Sequence, residues 1–393
     1  MTFALRVDGE RWSKHVDGRL AALAIATGNA AVPVVKGGGY GLGQERLVQQ
    51  VQRRDLPWLA VGTIYEALDA FRMLKPKSAR LLVLEPFDPR DSLAAAAWSQ
   101  APSDLITRTV ASPQGLQAVC AIGAATTTAP VSFVLEARTS MRRFGFSEDE
   151  LLRALTDTHT RTALRTGQVL IEGLALHLPL AQPADDVSPR AGGPVLSAKV
   201  RQVLRWAGLW QAELEPLQQS HQGAAALWVS HCSDEELLEI SSAVPKLTLR
   251  QRTGSDLWLG DRRALRAEGT VLNVTDVPGG TPVGYRQRSR SRSGQLLTVS
   301  GGTWHGIGLQ APSPVSSARQ RAVAAGTGAL DATGRALSPF TWDGRQRWFA
   351  EPPHQHVSML WLPHNCTPPK VGDVLAADVR FTTSRFDVVL GLD

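Results

Sequence analysis

The feature that most constrains this chain is an alternation. From residue 10 to about residue 250, short apolar runs of β-rich composition take turns with stretches of helical periodicity. Residues 32–35, 58–61, 81–84, 131–135, 169–171 with 173–176, 226–229 and 246–249 each read as a buried parallel strand. They are continuously apolar and lead into polar or glycine-containing loops. Between them, residues 10–27, 44–53, 64–73, 147–155, 198–212 and 234–241 read as helices. Ser147-Glu-Asp-Glu150 and Ser233-Asp-Glu-Glu236 are capping-box starts, in which the serine and the glutamate three residues later satisfy each other's backbone N–H. Strand, loop and helix repeated over this length imply a (β/α)8 barrel.

After residue 260 glycine, proline, threonine and valine dominate, and helical periodicity nearly vanishes. Residues 269–277, 295–299, 356–362 and 374–382 read as strands, and residues 308–345 as a long loop or insertion. The expected fold class is therefore α/β: an N-terminal (β/α)8 TIM-type barrel at residues 10–250, then a C-terminal mainly-β domain at residues 251–393. Residues 1–9 are free to pair with the second domain. A chain of 393 residues is long enough for both.

Bulk properties narrow the function. No run of about 18 uncharged apolar residues is present, so no membrane helix is expected. Charged residues precede the first apolar run, unlike a secretory leader. Three scattered cysteines make no disulfide framework. These features point to a soluble cytoplasmic protein. The net charge of +6 is carried by 35 arginines against seven lysines, so a lysine in a special context stands out. The densest basic run, Arg286 to Arg292, has no interleaved aromatics and no nucleic-acid motif around it. It reads as a solvated strand or loop edge, and neither nucleic acid nor membrane is expected as a partner.

One lysine has such a context. In Val34-Val-Lys-Gly-Gly-Gly-Tyr-Gly-Leu-Gly43, Lys36 closes the first core strand and opens a glycine-rich turn. The carboxyl end of a barrel strand faces the mouth where active sites sit. Glycines there let the backbone approach a ligand, and Tyr40 follows four residues later. A desolvated lysine can condense with an aldehyde. From spacing alone, a surface lysine on a glycine-rich turn fits equally well.

The order strand, lysine, glycine-rich turn, Tyr-Gly resembles the cofactor-lysine motif of the alanine racemase family, fold-type III enzymes that use pyridoxal 5'-phosphate. Further segments match in the family's order. Leu59-Ala-Val-Gly62 with Glu66-Ala is similar to its second-strand signature, and Ser140-Met-Arg-Arg-Phe-Gly-Phe146 to its Met-x-Arg-x-Gly-Phe element. Glu172-Gly-Leu-Ala-Leu-His177, Arg252-Thr-Gly254 and Pro282-Val-Gly-Tyr285 resemble three more. The resemblance covers about residues 5–310 and, weakly, 357–374.

It implies an amino-acid racemase, a divergent one, acting on alanine or another small amino acid, with pyridoxal 5'-phosphate as cofactor. Lys36 would hold the cofactor and move the α-proton on one face. Tyr285 would act on the other face from the neighbouring subunit of a homodimer. Two-base racemisation needs both sides, because reprotonation must come from the face opposite proton removal. His177 would tune or stack near the cofactor, Arg252 would face its pyridine nitrogen, and Arg143 would contact its phenolate side or the substrate carboxylate. Tyr40, Ser233, Gly254 and Ser255 would hold its phosphate. Because arginine keeps its proton, the ring nitrogen would stay unprotonated, which favours racemisation over transamination. Without the resemblance, His177 reads as structural, Ser233 as a helix cap, and either arginine as an ordinary ion pair.

The pattern also departs from the family. His231-Cys232 stands where an Asn-Ser pair is usual, and Glu136 where a carbamylated lysine is frequent. Glu136 would orient Arg143 as a permanent carboxylate. Gly302-Thr-Trp-His-Gly306 replaces Gly-Tyr-Ala-Asp-Gly, so Thr303 takes the place of the tyrosine that gates the substrate entrance. Met359 lacks the aspartate that should follow it to help bind the substrate carboxylate. Two alternatives stand beside the racemase. One is a pyridoxal-phosphate-dependent D-amino-acid lyase, a dehydratase or aldolase, with a metal held near His354, His356, His364 and Cys366. The other is a cofactor-binding protein without turnover, against which a β domain bearing Tyr285 argues.

Overall fold

Eight parallel strands carry the alternation. The computed structural model describes residues 2–75, 79–126, 129–180, 196–218, 226–289, 291–309 and 336–392. A first strand, β1 (Phe3–Val7), belongs to the second unit. The barrel strands follow as β2 (Val32–Pro33), β3 (Trp58–Val61), β4 (Arg80–Pro86), β5 (Ile106–Val110), β6 (Val131–Ala137), β7 (Val169–His177), β8 (Ala226–Ser230) and β9 (Thr248–Thr253). Helices α1 (Gly9–Thr27), α2 (Gln44–Arg53), α3 (Ile64–Met73), α4 (Ser92–Trp98), α5 (Pro113–Ala125), α6 (Glu148–Thr156), α7 (Thr158–Arg165), α8 (Ala198–Leu209), α9 (Asp234–Ala243) and α10 (Ser255–Leu259) lie between and after them. The strand order is β2-β9-β8-β7-β6-β5-β4-β3, and a parallel bridge from Val34 to Ala60 joins its two ends. Both capping boxes form, at Ser147–Glu150 and Ser233–Glu236. The helix expected at 198–212 stops at Leu209 and continues as a π-helical turn, Trp210–Leu214.

Strand β5 and helices α4, α5 and α7 are additions to the sequence-based expectation. Ile-Thr-Arg-Thr-Val reads as polar, yet every residue of β5 is buried. The threonines are β-branched and suit a pleated strand, and Thr109 Oγ1 donates to the Val83 carbonyl at 2.6 Å. Arg108 lays its guanidinium over the rings of Trp98 at 4.4 Å and Phe87 at 5.8 Å. Burial lowers its pKa to about 10.

Side chains fill the barrel in layers. Val32, Val34, Trp58, Ala60, Leu82, Val134, Ala175, Ala226 and Trp228 make one apolar cluster. Toward the strands' amino ends the filling turns polar. Arg80 Nη2 meets Glu172 Oε1 at 2.5 Å and donates to Ser132 Oγ at 3.1 Å. The guanidinia of Arg80 and Arg250 lie 4.4 and 5.0 Å from the Trp58 ring, and Arg250 also lies 4.6 Å from Trp228.

The chain divides into two compact units, residues 14–39 with 43–258, and residues 1–13, 40–42 and 259–393. The barrel unit runs past the expected residue 250. Strand β9 continues to Thr253, and the buried Trp258 of α10 donates its indole N–H to the Val34 carbonyl at 2.9 Å.

The second unit holds β10 (Leu265–Val277), β11 (Pro282–Val283), β12 (Arg288–Ser289), β13 (Gly294–Ser300), β14 (Leu337–Trp342), β15 (Arg345–Phe349), β16 (Val357–Pro363), β17 (Val374–Ala377) and β18 (Val388–Leu390). Its main sheet runs β13-β16-β15-β14-β17-β10-β1-β18, and the long β10 also pairs with β13, which closes six of these strands into a ring. β1 is antiparallel to β10 and parallel to β18. Two sequence expectations change here. Of residues 308–345, the described portion from Leu337 forms the β14–β15 hairpin, and residues 310–335 lie outside the described residues. The strand expected at 374–382 ends at Ala377 and gives way to a 3-10 turn, Phe381–Thr383.

Candidate active site

At the carboxyl ends of the barrel strands four titratable side chains converge. Lys36 follows β2, Glu136 ends β6, His177 ends β7 and Arg252 lies near the end of β9. The three residues after Lys36 are glycines with φ of 61°, 72° and 73°, a left-handed run that side-chain-bearing residues avoid. The Glu66 carboxylate holds this turn, accepting from Gly37 N–H at 2.8 Å and from Gly62 N–H at 2.7 Å. Lys36 Cβ sits against Gly62, where any side chain would crowd it.

Electrostatics set the state of each group. Burial lowers the pKa of Lys36, and the charges of Arg143 and Arg252 lower it further, against an opposing pull from Glu66. Burial raises the pKa of Glu136, opposed by Arg252 and Arg143. Glu136 Oε2 and Arg252 Nη1 are 3.9 Å apart, so its nearest cation is Arg252, while Arg143 contributes charge. Arg252 is 5% exposed, and its Nε and Nη2 have no hydrogen-bond partner among the described residues. A buried guanidinium with two unspent donors is costly unless something else accepts from them.

His177 is pushed down to about 3, by burial first and then by Arg252, Arg143, His231 and Lys36. Its Nδ1 lies 3.0 Å from Ser230 Oγ, which already accepts from Leu178 N–H at 3.3 Å. That arrangement favours the neutral tautomer with its proton on Nε2. His231, in left-handed backbone with φ 60°, packs edge-on to His177 at 5.1 Å. The His231 carbonyl accepts from Lys199 Nζ at 2.6 Å, and Lys199 lies 3.7 Å from Glu236. Lys199 and Ser230 were not singled out from the sequence, and Glu66 was named only as part of the second-strand signature. Lys199 sits in an ordinary helical stretch, so only the fold brings it here, and only the fold shows that Glu66 holds the Lys36 turn.

Arg143 is exposed, with its guanidinium 5.1 Å from the Phe144 ring. It also lines a cleft of about 630 Å³ with Phe87, Trp98, Arg138, Arg142 and Phe144. None of the four converging side chains lines this cleft, while the charge of Arg143 reaches Lys36, Glu136 and His177. Ser233 caps α9: its N–H donates to Glu236 at 2.9 Å and its Oγ accepts from Glu236 N–H. Its hydroxyl also hydrogen-bonds the Glu235 carboxylate, so the cap engages the whole side chain. Gly254 is half-buried, and Ser255 is exposed at the start of α10.

The remaining predicted residues belong to the other unit. Tyr40 is buried, with φ 57°. Met359 is half-buried on β16, and its carbonyl accepts from Ala350 N–H at 2.8 Å. Tyr285 stands exposed at the tip of the β11–β12 hairpin, where the basic run also begins at Arg286. In the altered Gly302–Gly306 segment, His305 is buried: its Nδ1 accepts from Gly302 N–H at 3.1 Å and its Nε2 lies 3.3 Å from Asp387. The residues considered for a metal do not converge. His354 pairs with Glu351 and Cys366 with Arg347, and no group of three or more potential ligands forms among the described residues. No helix of the described residues is long and apolar enough to cross a membrane.

Comparison with known proteins is consistent with this architecture. The family model for the alanine racemase N-terminal domain matches residues 16–231, more than half of the chain. No curated protein matches by sequence. Among solved structures, the Bartonella henselae alanine racemase with covalently bound pyridoxal phosphate is 17% identical, with a TM-score of 0.63 over 96% of this chain and 91% of that one. The biosynthetic alanine racemase of Pseudomonas aeruginosa is 20% identical, with a TM-score of 0.59 over 97% and 91%. That of a D-cycloserine-producing Streptomyces lavendulae is 18% identical, with a TM-score of 0.59 over 96% and 87%.

Proposed function

The chain belongs to the alanine racemase family, and from that premise we propose that it is a pyridoxal-phosphate-dependent amino-acid racemase acting on alanine or another small amino acid. One observation carries the reading: Arg252 is buried beside the lysine group with Nε and Nη2 unpartnered among the described residues, a donor set shaped for an acceptor such as a pyridine nitrogen. Lys36 would hold the cofactor covalently, with Arg252 at its ring nitrogen. Tyr40, Ser233, Gly254 and Ser255 would hold its phosphate. When bound, pyridoxal phosphate supplies an aldehyde for the substrate amine and an electron-accepting ring that acidifies the α-proton.

The chain's own residues then divide the work. Burial and two guanidinia lower the pKa of Lys36, and its amine would take a proton and return it on one face of the α-carbon. Tyr285 of a neighbouring copy in a homodimer would do so on the other face. Arg143, exposed and cationic, would receive the substrate carboxylate. His177, kept neutral, would donate from Nε2 without adding charge. Arg252 keeps its proton, which supports racemisation over transamination. The candidate metal ligands stand apart from one another, which leaves the lyase reading without a site among the described residues.

Borohydride treatment of the protein loaded with pyridoxal phosphate should fix the cofactor on Lys36, read as one modified peptide by mass spectrometry. A panel of L-amino acids in deuterated water should then show α-proton exchange and appearance of the D-enantiomer. Lys36→Ala should abolish the label and cut exchange on the order of 10³-fold or more. Cofactor fixed elsewhere, or a keto-acid product in place of the enantiomer, would remove the racemase reading.

A further inference from the structure

Tyr285 is 85% exposed, yet one face of its ring is covered. The His354 imidazole lies 4.5 Å away, centroid to centroid, tilted by 43°. His354 is itself fixed. Its Nε2 is 2.5 Å from Oε1 of Glu351, a side chain only 3% exposed. Its backbone N–H donates to Val357 O at 2.9 Å, and its carbonyl accepts from Thr303 N–H at 2.8 Å. The same Glu351 supports the hairpin backbone. A Cβ at Gly284 would overlap the Glu351 carboxylate, and Gly284 takes φ 72°, so glycine alone suits the position. Gln287 closes the turn, with its N–H and Nε2 both donating to the Gly284 carbonyl, at 3.3 and 2.8 Å. One buried carboxylate thus locates both the backbone before Tyr285 and the ring beneath it.

We infer that Glu351 and His354 are positioning residues, which fix the hairpin tip and the ring of Tyr285 so that its hydroxyl is delivered to one face of the substrate α-carbon. This rests on the reading that Tyr285 moves the α-proton. An exposed aromatic on a hairpin tip samples several rotamers, and ordering it at the moment of reaction costs rate. A misplacement of about 1 Å in a reacting group can cost on the order of 100-fold. The shelf removes that loss by holding the ring beforehand.

The test uses the full chain and four variants: His354→Ala, His354→Phe, Glu351→Gln and Tyr285→Phe. In cofactor-free protein, ¹³C-labelled tyrosine spectra have only three residues to resolve, and His354→Ala should move the Tyr285 ring signals. In protein loaded with pyridoxal phosphate, α-proton exchange is followed separately from each enantiomer of alanine, or of the amino acid that exchanges fastest in the panel. His354→Ala should slow exchange from the enantiomer facing Tyr285 on the order of 10- to 100-fold and leave the other enantiomer within about two-fold. His354→Phe, which replaces ring with ring, should recover most of the loss, and Glu351→Gln should fall between them. Equal slowing from both enantiomers, or unmoved Tyr285 signals, would overturn the positioning role. If His354→Ala is inert while Tyr285→Phe removes exchange from one enantiomer, positioning alone fails. If Tyr285→Phe is inert as well, the catalytic reading of Tyr285 fails with it.

Discussion

The two ends of the barrel bury the same kinds of charge and treat them differently. Near the strands' amino ends, Arg80 meets Glu172 at 2.5 Å, and both Arg80 and Arg250 lie over indole faces. Each of these arginines keeps one unpartnered nitrogen, and Glu172 Oε1 meets Arg80 as a charge contact off the line of a hydrogen bond. At the carboxyl ends, and among the described residues, Arg252 has two unpartnered nitrogens, no aromatic contact and a nearest paired carboxylate at 3.9 Å. One end spends its charges on packing. The other leaves them unspent, at a cost to the fold that makes sense where a ligand is to be received.

Neutralising both partners at the mouth separates stability from chemistry most sharply. The double variant Arg252→Met with Glu136→Gln should fold with stability within about 1 kcal/mol of the parent, because well-packed neutral residues often replace a buried ion pair without loss. Its racemisation rate should fall on the order of 10²- to 10³-fold, as expected when an electrostatic contact to the reacting system is lost. Denaturant melts and exchange rates on the same samples check both halves. Glu136→Gln alone should cost about 3 kcal/mol, since it leaves Arg252 buried without a carboxylate.

The amino end should behave in the opposite way. Glu172→Gln removes the carboxylate between Arg80 and Arg250 and should cost about 2 kcal/mol, less than a fully buried pair because Arg80 is partly exposed. Exchange rates should stay within about two-fold, since these side chains fill the barrel below the apolar layer and face no substrate. A large loss of exchange with unchanged stability would mean that the two ends are coupled, and the division of labour drawn above would fail.

What was legible in the sequence follows from the range of each signal. Lys36 stood out because an apolar strand and a glycine run flank it, and both are local patterns. Strand β5 was missed because Thr107, Arg108 and Thr109 read as polar, while their burial depends on Val83, Trp98 and Phe87 supplied from elsewhere. Arg252 could be chosen among 35 arginines only through the order of the family's motifs; its unspent donors are visible only in three dimensions. Lys199 looks like any helical lysine until its amine reaches the His231 carbonyl. The support of Tyr285 by Glu351 and His354 joins two loops far apart in the chain, and no local pattern announces it.

The smallest expected effect concerns pH, and it tests whether the mouth is built for neutral groups. His177 titrates near 3 in the fold, by burial first and then by the surrounding cations, against about 6.5 for an unfolded histidine. Between those values the unfolded chain binds a proton that the folded chain refuses, so stability falls as pH drops from about 6.5 towards 3 and levels off below. The slope from this one residue is at most about 1.4 kcal/mol per pH unit. His231 is lowered in the same direction and adds to the slope, so the informative quantity is the difference made by His177→Gln. That variant should melt with a shallower pH dependence between pH 4 and about 6.5 and match the parent's slope above pH 7. A parallel pair of curves would mean that His177 takes its proton in the fold after all, and that the charge of Arg252 and Arg143 reaches the mouth less strongly than their placement implies.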